Sequence, residues 1–254
     1  RLWFSDFYRH GVFTMSPDGT EEQILEVPTQ PSGLGWMPDG SLLIVSMLDR
    51  KLLRRATDGT VTEHADLSSV AAWHCNDMVV AADGTAYVGN FGSDREKDGP
   101  KPATLAIVNP DGTVRAGPDD LEFPNGTVIT PDGSTLIIGE SMGGRLTAFD
   151  IEADGSLSNR RVWAELGGGV PDGICLDAEL GVWVADPRNA SCFRVVEGGE
   201  ITDRIEASQT CFACTLGGET LDTLYVLTAP GSGPDEVAGK GLGRLEAVRV
   251  GGAS

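Results

Sequence analysis

PNGTVITPDGSTLIIGESMGGRLTAFDIEADGSLSNRRVWAEL, residues 124–166, is the stretch that decides the fold. Asn125–Thr130 reads as a β-strand and Pro131-Asp132-Gly133 as a tight turn. Ser134–Glu140 is a second strand, Met142-Gly143-Gly144 a turn, and Arg145–Ile151 a third strand. Asp154-Gly155 turns the chain into a fourth strand, Asn159–Leu166. Runs rich in β-branched and apolar residues, parted by Asp-Gly or Gly-Gly, are hairpin signals. Four antiparallel strands joined by hairpins make one propeller blade.

The unit recurs along the chain at a spacing of roughly 38–50 residues, which suits a propeller blade of about 40–50. Inner turns fall at Asp39-Gly40, Asp83-Gly84, Asp132-Gly133, Glu179-Leu180-Gly181 and Gly217-Gly218. Each precedes an apolar strand: Leu42–Ser46, Ala86–Asn90, Leu136–Glu140, Val182–Asp186 and Leu224–Thr228. Outer turns fall at Asp18-Gly19, Asp58-Gly59, Asp111-Gly112, Asp154-Gly155 and Gly198-Gly199. With Arg1–Ser5 there are six second strands but five innermost ones. The expectation is an all-β chain, a six-bladed β-propeller forming a single domain over residues 1–254. Its first blade is expected to be incomplete at the N-terminus, lacking an inner strand and the strand that closes the ring onto the blade of Arg244–Val250. No amphipathic helix is expected.

Composition sets limits on function. The net charge of −19 over 254 residues opposes non-specific binding to nucleic acid or anionic lipid. No run approaches the roughly 18 apolar residues of a membrane span. Five cysteines, an odd number, with no secretory leader, predict reduced thiols and a cytoplasmic setting. Cys211-Phe212-Ala213-Cys214 has CxxC spacing, but no second pair or nearby histidine completes a zinc set, so packing is the expectation. Only three histidines occur, His10, His64 and His74. Of these, His10 and His64 are expected to be bystanders.

Innermost strands line the channel of a propeller. Their aligned starts carry Ser32, Asn76, Asn125, Asp172 and Phe212 at one shared position, within Cys75-Asn76-Asp77-Met78, Pro124-Asn125-Gly126-Thr127 and Pro171-Asp172-Gly173-Ile174. Two amides and a carboxylate meeting on an axis suit a hard divalent cation. Each of these dipeptides is also an ordinary turn signal. Their register across separate repeats favours metal ligation by Asn76, Asn125 and Asp172. Ca²⁺ comes first, with Mg²⁺, Mn²⁺ and Zn²⁺ as alternatives. Such an ion wants a further acidic ligand, which the five visible inner strands do not supply.

These stretches, with Leu2-Trp3-Phe4-Ser5-Asp6, Pro31-Ser32-Gly33-Leu34, Ile174-Cys175-Leu176-Asp177 and Gly181-Val182-Trp183-Val184-Ala185, resemble the senescence marker protein/gluconolactonase (regucalcin-like) family over essentially the whole chain. The resemblance implies a six-bladed propeller with one catalytic divalent metal at the axial mouth, acting on sugar lactones or other lactones. By position it makes Asn76, Asn125 and Asp172 the metal ligands. It places a fourth ligand, a Glu, in a segment that would precede Arg1. Some sugar-lactone members carry Arg where this chain has His74.

The implied chemistry is opening of a small-molecule lactone. Asp172 is the expected catalytic base, with a metal-activated water positioned by Asp172 as the alternative. His74 and Asp77 are the expected substrate-binding residues. His74 lies two residues before Asn76 and so shares its face, whereas strand alternation turns Asp77 away from Asn76 unless the strand twists locally. The charged loop Gly92–Lys101 is a candidate lid. Asn90, Glu140 and Asp186 end second strands and are expected at the opposite rim or at blade edges. Trp36, Trp73, Trp163 and Trp183 are expected to pack between blades, with Trp73 able to wall the pocket. The alternatives are a non-catalytic Ca²⁺- or small-ligand-binding propeller, a phosphotriesterase-like hydrolase, and a protein-interaction scaffold. Sequence leaves the oligomeric state open.

Overall fold

The computed structural model describes residues 1–251. Six antiparallel sheets follow one another along the chain, the strand inventory of a six-bladed β-propeller. The chain forms two compact units of three sheets each.

The first unit comprises Arg1–Pro124 with Glu152–Leu157. Its first sheet has three strands, β1 (Leu2–Asp6), β2 (Gly11–Met15) and β3 (Glu21–Glu26). The second contains β4 (Pro31–Trp36), β5 (Leu42–Ser46), β6 (Lys51–Arg55) and β7 (Val61–Asp66). The third contains β8 (Cys75–Val80), β9 (Ala86–Asn90), β10 (Ala106–Val108) and β11 (Val114–Ala116). A four-residue helix, α1 (Arg95–Asp98), interrupts the β9–β10 connection. Sequence periodicity missed it because one turn carries no apolar stripe. It forms because Asp94 caps it, accepting from the Lys97 backbone N–H.

The second unit comprises Asn125–Ile151 and the chain from Ser158 onward. Its sheets are β12 (Pro124–Ile129), β13 (Thr135–Glu140), β14 (Arg145–Ile151) and β15 (Leu157–Glu165), then β16 (Ile174–Leu176), β17 (Val182–Asp186), β18 (Ser191–Val195) and β19 (Ile201–Glu206). The last sheet has β20 (Thr210–Gly217), β21 (Thr223–Ala229) and β22 (Arg244–Arg249). A second short helix, α2 (Pro234–Val237), joins β21 to β22.

Second strands read as continuous apolar runs because both of their faces are covered. Every residue of β5, β9 and β17 is buried, with Val45, Val88 and Val184 in the packed clusters between sheets. Fourth strands are the reverse. β7 and β19 are mostly exposed and carry Glu63, Asp66, Asp203 and Glu206, charges that protect a sheet edge from pairing with another chain. The Asp-Gly turns share one device. The Asp39, Asp83, Asp132 and Asp154 carboxylates accept the backbone N–H two residues on, at 2.8–3.1 Å. Hydroxyl hydrogen bonds from Thr130 and Ser156, with these backbone bonds, hold Asp132 and Asp154 below the usual carboxylate range, and those from the Ser41 hydroxyl and N–H bring Asp39 down to about 2.

Trp163 and Trp183 are buried as expected, but Trp36 is 49% exposed. It closes β4 at its far end, where its ring and that of Trp3 meet edge to face at 5.0 Å. Among the described residues no helix is long and apolar enough to cross a membrane.

Tyr87 is fully buried in β9 and donates its hydroxyl to the Gly155 carbonyl at 3.0 Å. Tyr87→Phe keeps the ring and removes that bond. The expected loss is about 1 kcal/mol, a fall in Tm of about 2–4 °C for a chain of this size. Thermal unfolding followed by circular dichroism measures it.

Candidate functional site

The innermost strands do not keep a simple ladder at the shared position. In β8, Cys75 pairs with Asn90 and Met78 with Val88, so Asn76 and Asp77 together face the single residue Gly89. In β4, Ser32 and Gly33 face Val45 in the same way. Just before β16 the Asp172 N–H donates to Ala185 O at 2.9 Å, while the Ala185 N–H donates to Gly173 O at 3.0 Å. These are β-bulges, which insert one residue and re-aim its side chain. Strand alternation therefore does not apply at Asn76-Asp77, and the expected turning-away of Asp77 rests on a regular strand that is not there. The sequence signal was available in the Gly that follows Ser32, Asn125 and Asp172.

In the first unit, Asn76 is buried and its Oδ1 lies 3.4 Å from the Ser32 hydroxyl. Asp77 is half-buried, accepts no hydrogen bond among the described residues, and burial pushes its carboxyl up to about 6. His74 lies just before β8. Its ring stacks on Trp73 at 4.5 Å and meets the edge of Phe91 at 6.0 Å. Burial lowers its pKa below the usual 6.5. Phe91 packs on Phe123 at 4.6 Å, and Phe123 holds a left-handed backbone, φ 63°. Above this aromatic group sits the expected lid. Arg95 lies 5.2 Å from the Phe123 ring and Lys97 6.0 Å from the Trp73 ring, contacts of the cation–π kind.

In the second unit, the segments that carry Asn125 and Asp172 lie side by side. The Gly126 N–H donates to Asp172 O at 3.1 Å, and the Gly173 N–H to Phe212 O at 2.9 Å. Asn125 is buried. Its Nδ2 donates to Ser141 Oγ at 3.1 Å, and its backbone carbonyl accepts from the Thr127 hydroxyl at 2.9 Å. Asp172 is half-buried. A groove of 390 Å³, lined by Ser141, Met142, Glu165, Val170 and Arg188, opens beside Ser141.

Asn90, Glu140 and Asp186 are not at the opposite rim. β8 and β9 run antiparallel, so the end of the second strand returns to the start of the first, and Asn90 sits opposite Cys75. All three are fully buried, and each holds a turn. Asn90 accepts from the Gly92 N–H and donates to Thr104 O. Asp186 accepts from the Val170 and Arg188 N–H groups. Glu140 accepts from Arg145 at 2.9 Å and from Thr147 at 2.5 Å.

The cysteines behave as packing. Cys192, Cys211 and Cys214 lie in an apolar cluster with Trp183 and Leu224, and Cys175 Sγ is 3.9 Å from Cys214 Sγ. Among the described residues no three His, Cys, Asp or Glu side chains gather into a metal-holding group. The candidate set instead draws on amide oxygens, which suit Ca²⁺, Mg²⁺ or Mn²⁺ better than a thiophilic ion. The chemistry of Asn76, Asn125 and Asp172 fits a hard divalent cation.

His64 lies in β7, and burial and Arg54 lower its pKa below 6.5. A histidine lowered on folding contributes stability that is full above the unfolded value, about 6.5, and fades as pH falls toward the folded one. NMR titration of the His64 ring is expected to give a midpoint below 6.5. His64→Gln is expected to reduce the loss of stability between pH 7 and pH 5.

Pentonolactonase of Haloferax volcanii is 28% identical over 215 residues, 83% of this chain and 70% of that protein. Regucalcin of Danio rerio is 27% identical over 175 residues, 67% of this chain. The chain spans 59% of that regucalcin's length. Among solved structures, a luciferin-regenerating enzyme superposes with a TM-score of 0.83 at 20% identity, over 98% of this chain and 87% of that one. A gluconolactonase from Xanthomonas campestris gives 0.75 at 25% identity, over 90% and 79%. A regucalcin from Agrobacterium tumefaciens, described as a calcium-binding protein, gives 0.74 at 22% identity, over 88% and 76%. The family model described as the SMP-30/gluconolactonase/LRE-like region matches residues 1–230. With six sheets in sequence and these likenesses along the chain, the fold is a six-bladed β-propeller, and the protein belongs to the SMP-30/gluconolactonase/LRE-like family.

Proposed function

We propose that this protein is a metal-dependent lactonase in which Asn76, Asn125 and Asp172 hold one divalent cation, Ca²⁺ first. The observation that carries the reading is positional. Asn76 and Asn125 are the second residues of β8 and β12, and Asp172 lies two residues before β16, so three oxygen-bearing residues stand at the entry to the innermost strand of three different sheets, in a chain of a family whose named relatives include a pentonolactonase and a gluconolactonase.

A divalent ion bound there supplies Lewis-acid polarisation of a lactone carbonyl and lowers the pKa of water. Asp172 takes the proton from water as it adds to the carbonyl carbon. The ring C–O bond then breaks, and the proton passes to the departing ring oxygen, leaving a hydroxy acid. Asp77 and His74 bind the substrate beside Asn76. The aromatic surface of Trp73, His74, Phe91 and Phe123, with α1 over it, keeps water from that side. This wall is apolar, so lactones with an alkyl or aryl face fit it better than fully hydroxylated ones.

A panel assay tests the reading. γ-Lactones, sugar lactones, dihydrocoumarin and a fluorophosphonate are each offered with Ca²⁺, Mn²⁺, Zn²⁺ or chelator. Lactone turnover that EDTA abolishes and added metal restores is the expected result. Preference for the fluorophosphonate would make the protein a phosphotriesterase-like hydrolase. Metal binding with no ester turned over would make it a calcium-binding protein without this chemistry, the reading that the regucalcin relatives favour.

A further inference from the structure

We infer that Ser141 is a positioning residue that fixes which atom of Asn125 is offered to the cation. The inference rests on the cation reading proposed above, and it follows from where protons can be. Ser141 is buried, directly after β13. Its Oγ lies 2.5 Å from the Pro171 carbonyl oxygen and 3.1 Å from the Asn125 amide nitrogen. A carbonyl oxygen only accepts, so the single hydroxyl proton of Ser141 is committed to Pro171. Oγ then has only lone pairs left for Asn125, and the atom of Asn125 that faces it must be the donor.

The consequence is an amide with one permitted orientation. An asparagine side chain can rotate end over end at little cost when its surroundings do not distinguish N from O. Here they do. A flipped amide would set Oδ1 against Ser141 Oγ with no proton between them. Nδ2 therefore stays on Ser141, and Oδ1, which no hydrogen-bond donor reaches among the described residues, is the atom left for an ion. The Asn125 backbone is fixed separately by the Thr127 hydroxyl. The same Ser141 proton holds the carbonyl of Pro171, the residue before Asp172. One hydroxyl thus links the segments that carry two of the three proposed ligands, and both lie in the second unit. In β8 the arrangement differs, since the Ser32 hydroxyl approaches Asn76 at the longer distance of 3.4 Å.

The test reads metal affinity rather than turnover. Ca²⁺ is titrated calorimetrically into the wild-type protein, Ser141→Ala, Ser141→Thr, Asn125→Ala and the double variant Ser141→Ala/Asn125→Ala, each first shown folded by circular dichroism without metal. Removing a hydrogen bond that orients a ligand typically weakens metal binding by roughly 10–100-fold, and that loss is expected for Ser141→Ala. Ser141→Thr keeps the hydroxyl and is expected to bind within a few-fold of wild type. In the Asn125→Ala background the Ser141 effect should be much smaller, because no amide is left to orient and only the bond to Pro171 is lost. Wild-type affinity in Ser141→Ala, or an equal loss with and without Asn125, would overturn the inference while leaving the cation reading in place. A wild-type protein that binds no divalent ion would overturn both.

Discussion

Asp172→Ala is expected to lower kcat/KM for lactone opening by roughly 10³-fold or more, the scale seen when a preorganised charge-stabilising group is lost, and to weaken Ca²⁺ binding. Asp172 is the only acidic side chain in the proposed ligand set, so its loss removes all of the set's negative charge. It also removes the proposed proton carrier. The fold should survive, because the backbone of this segment makes its bonds without the side chain: Asp172 N–H to Ala185 O, Gly126 N–H to Asp172 O, and Gly173 N–H to Phe212 O. Asp172→Asn separates the two roles. It keeps a donor oxygen of similar reach and removes the charge and the basicity, so it should retain more metal affinity than Asp172→Ala while hydrolysing lactone no better. Calorimetry with Ca²⁺ and a pH-stat assay measure the two effects. Turnover by Asp172→Ala at the wild-type rate would remove Asp172 from the reaction.

Gly126→Ala is expected to be the most damaging small substitution. A Cβ at residue 126 would lie 2.4 Å from Asp172 O, 2.5 Å from Ile174 N and 2.8 Å from Gly173 Cα. All three are backbone atoms of a segment tied to β17 and to Phe212, so no side chain can swing aside. Overpacking typically costs about 1–3 kcal/mol and occasionally more; rigid neighbours put this site at the upper end, about 3 kcal/mol. At about 2–4 °C per kcal/mol the Tm should fall by about 6–12 °C. The strand that carries Asn125 must also move away from Asp172, so Ca²⁺ affinity should fall with stability. Gly133→Ala is the control. Its φ is 74°, but nothing lies within 4 Å of the added carbon, leaving only backbone strain of about 1–2 kcal/mol. Equal Tm losses at the two positions would show that the close approach of the strands is not what Gly126 serves.

The strands were legible because the physics that makes them is local. Asp-Gly turns and apolar second strands placed Leu42–Ser46, Ala86–Asn90 and Val182–Asp186 at the residues where β5, β9 and β17 lie. The recurrence of Asn76, Asn125 and Asp172 ahead of apolar strands was visible for the same reason, while their meeting around one ion is the proposal. What could not be read was whatever depends on pairing partners far along the chain. The bulge at Asn76-Asp77 exists only relative to Gly89. The role of Ser141 needs both Asn125, 16 residues before it, and Pro171, 30 residues after it. Asn90, Glu140 and Asp186 were misplaced because an antiparallel return was not followed through: a strand that leaves the mouth is brought back there by the next. Trp36 read as packing between blades with the other tryptophans, while its position at the end of β4 leaves it half in solvent.

Diffraction from crystals soaked in Mn²⁺ tests the central claim most directly, since anomalous scattering locates the ion itself. The account predicts one strong peak bonded to oxygens of Asn76, Asn125 and Asp172 at about 2.0–2.6 Å, the span of hard-cation–oxygen bonds, with the Asn125 contact made by Oδ1. A peak held by other residues, or none while these three side chains point to separate places, would contradict it.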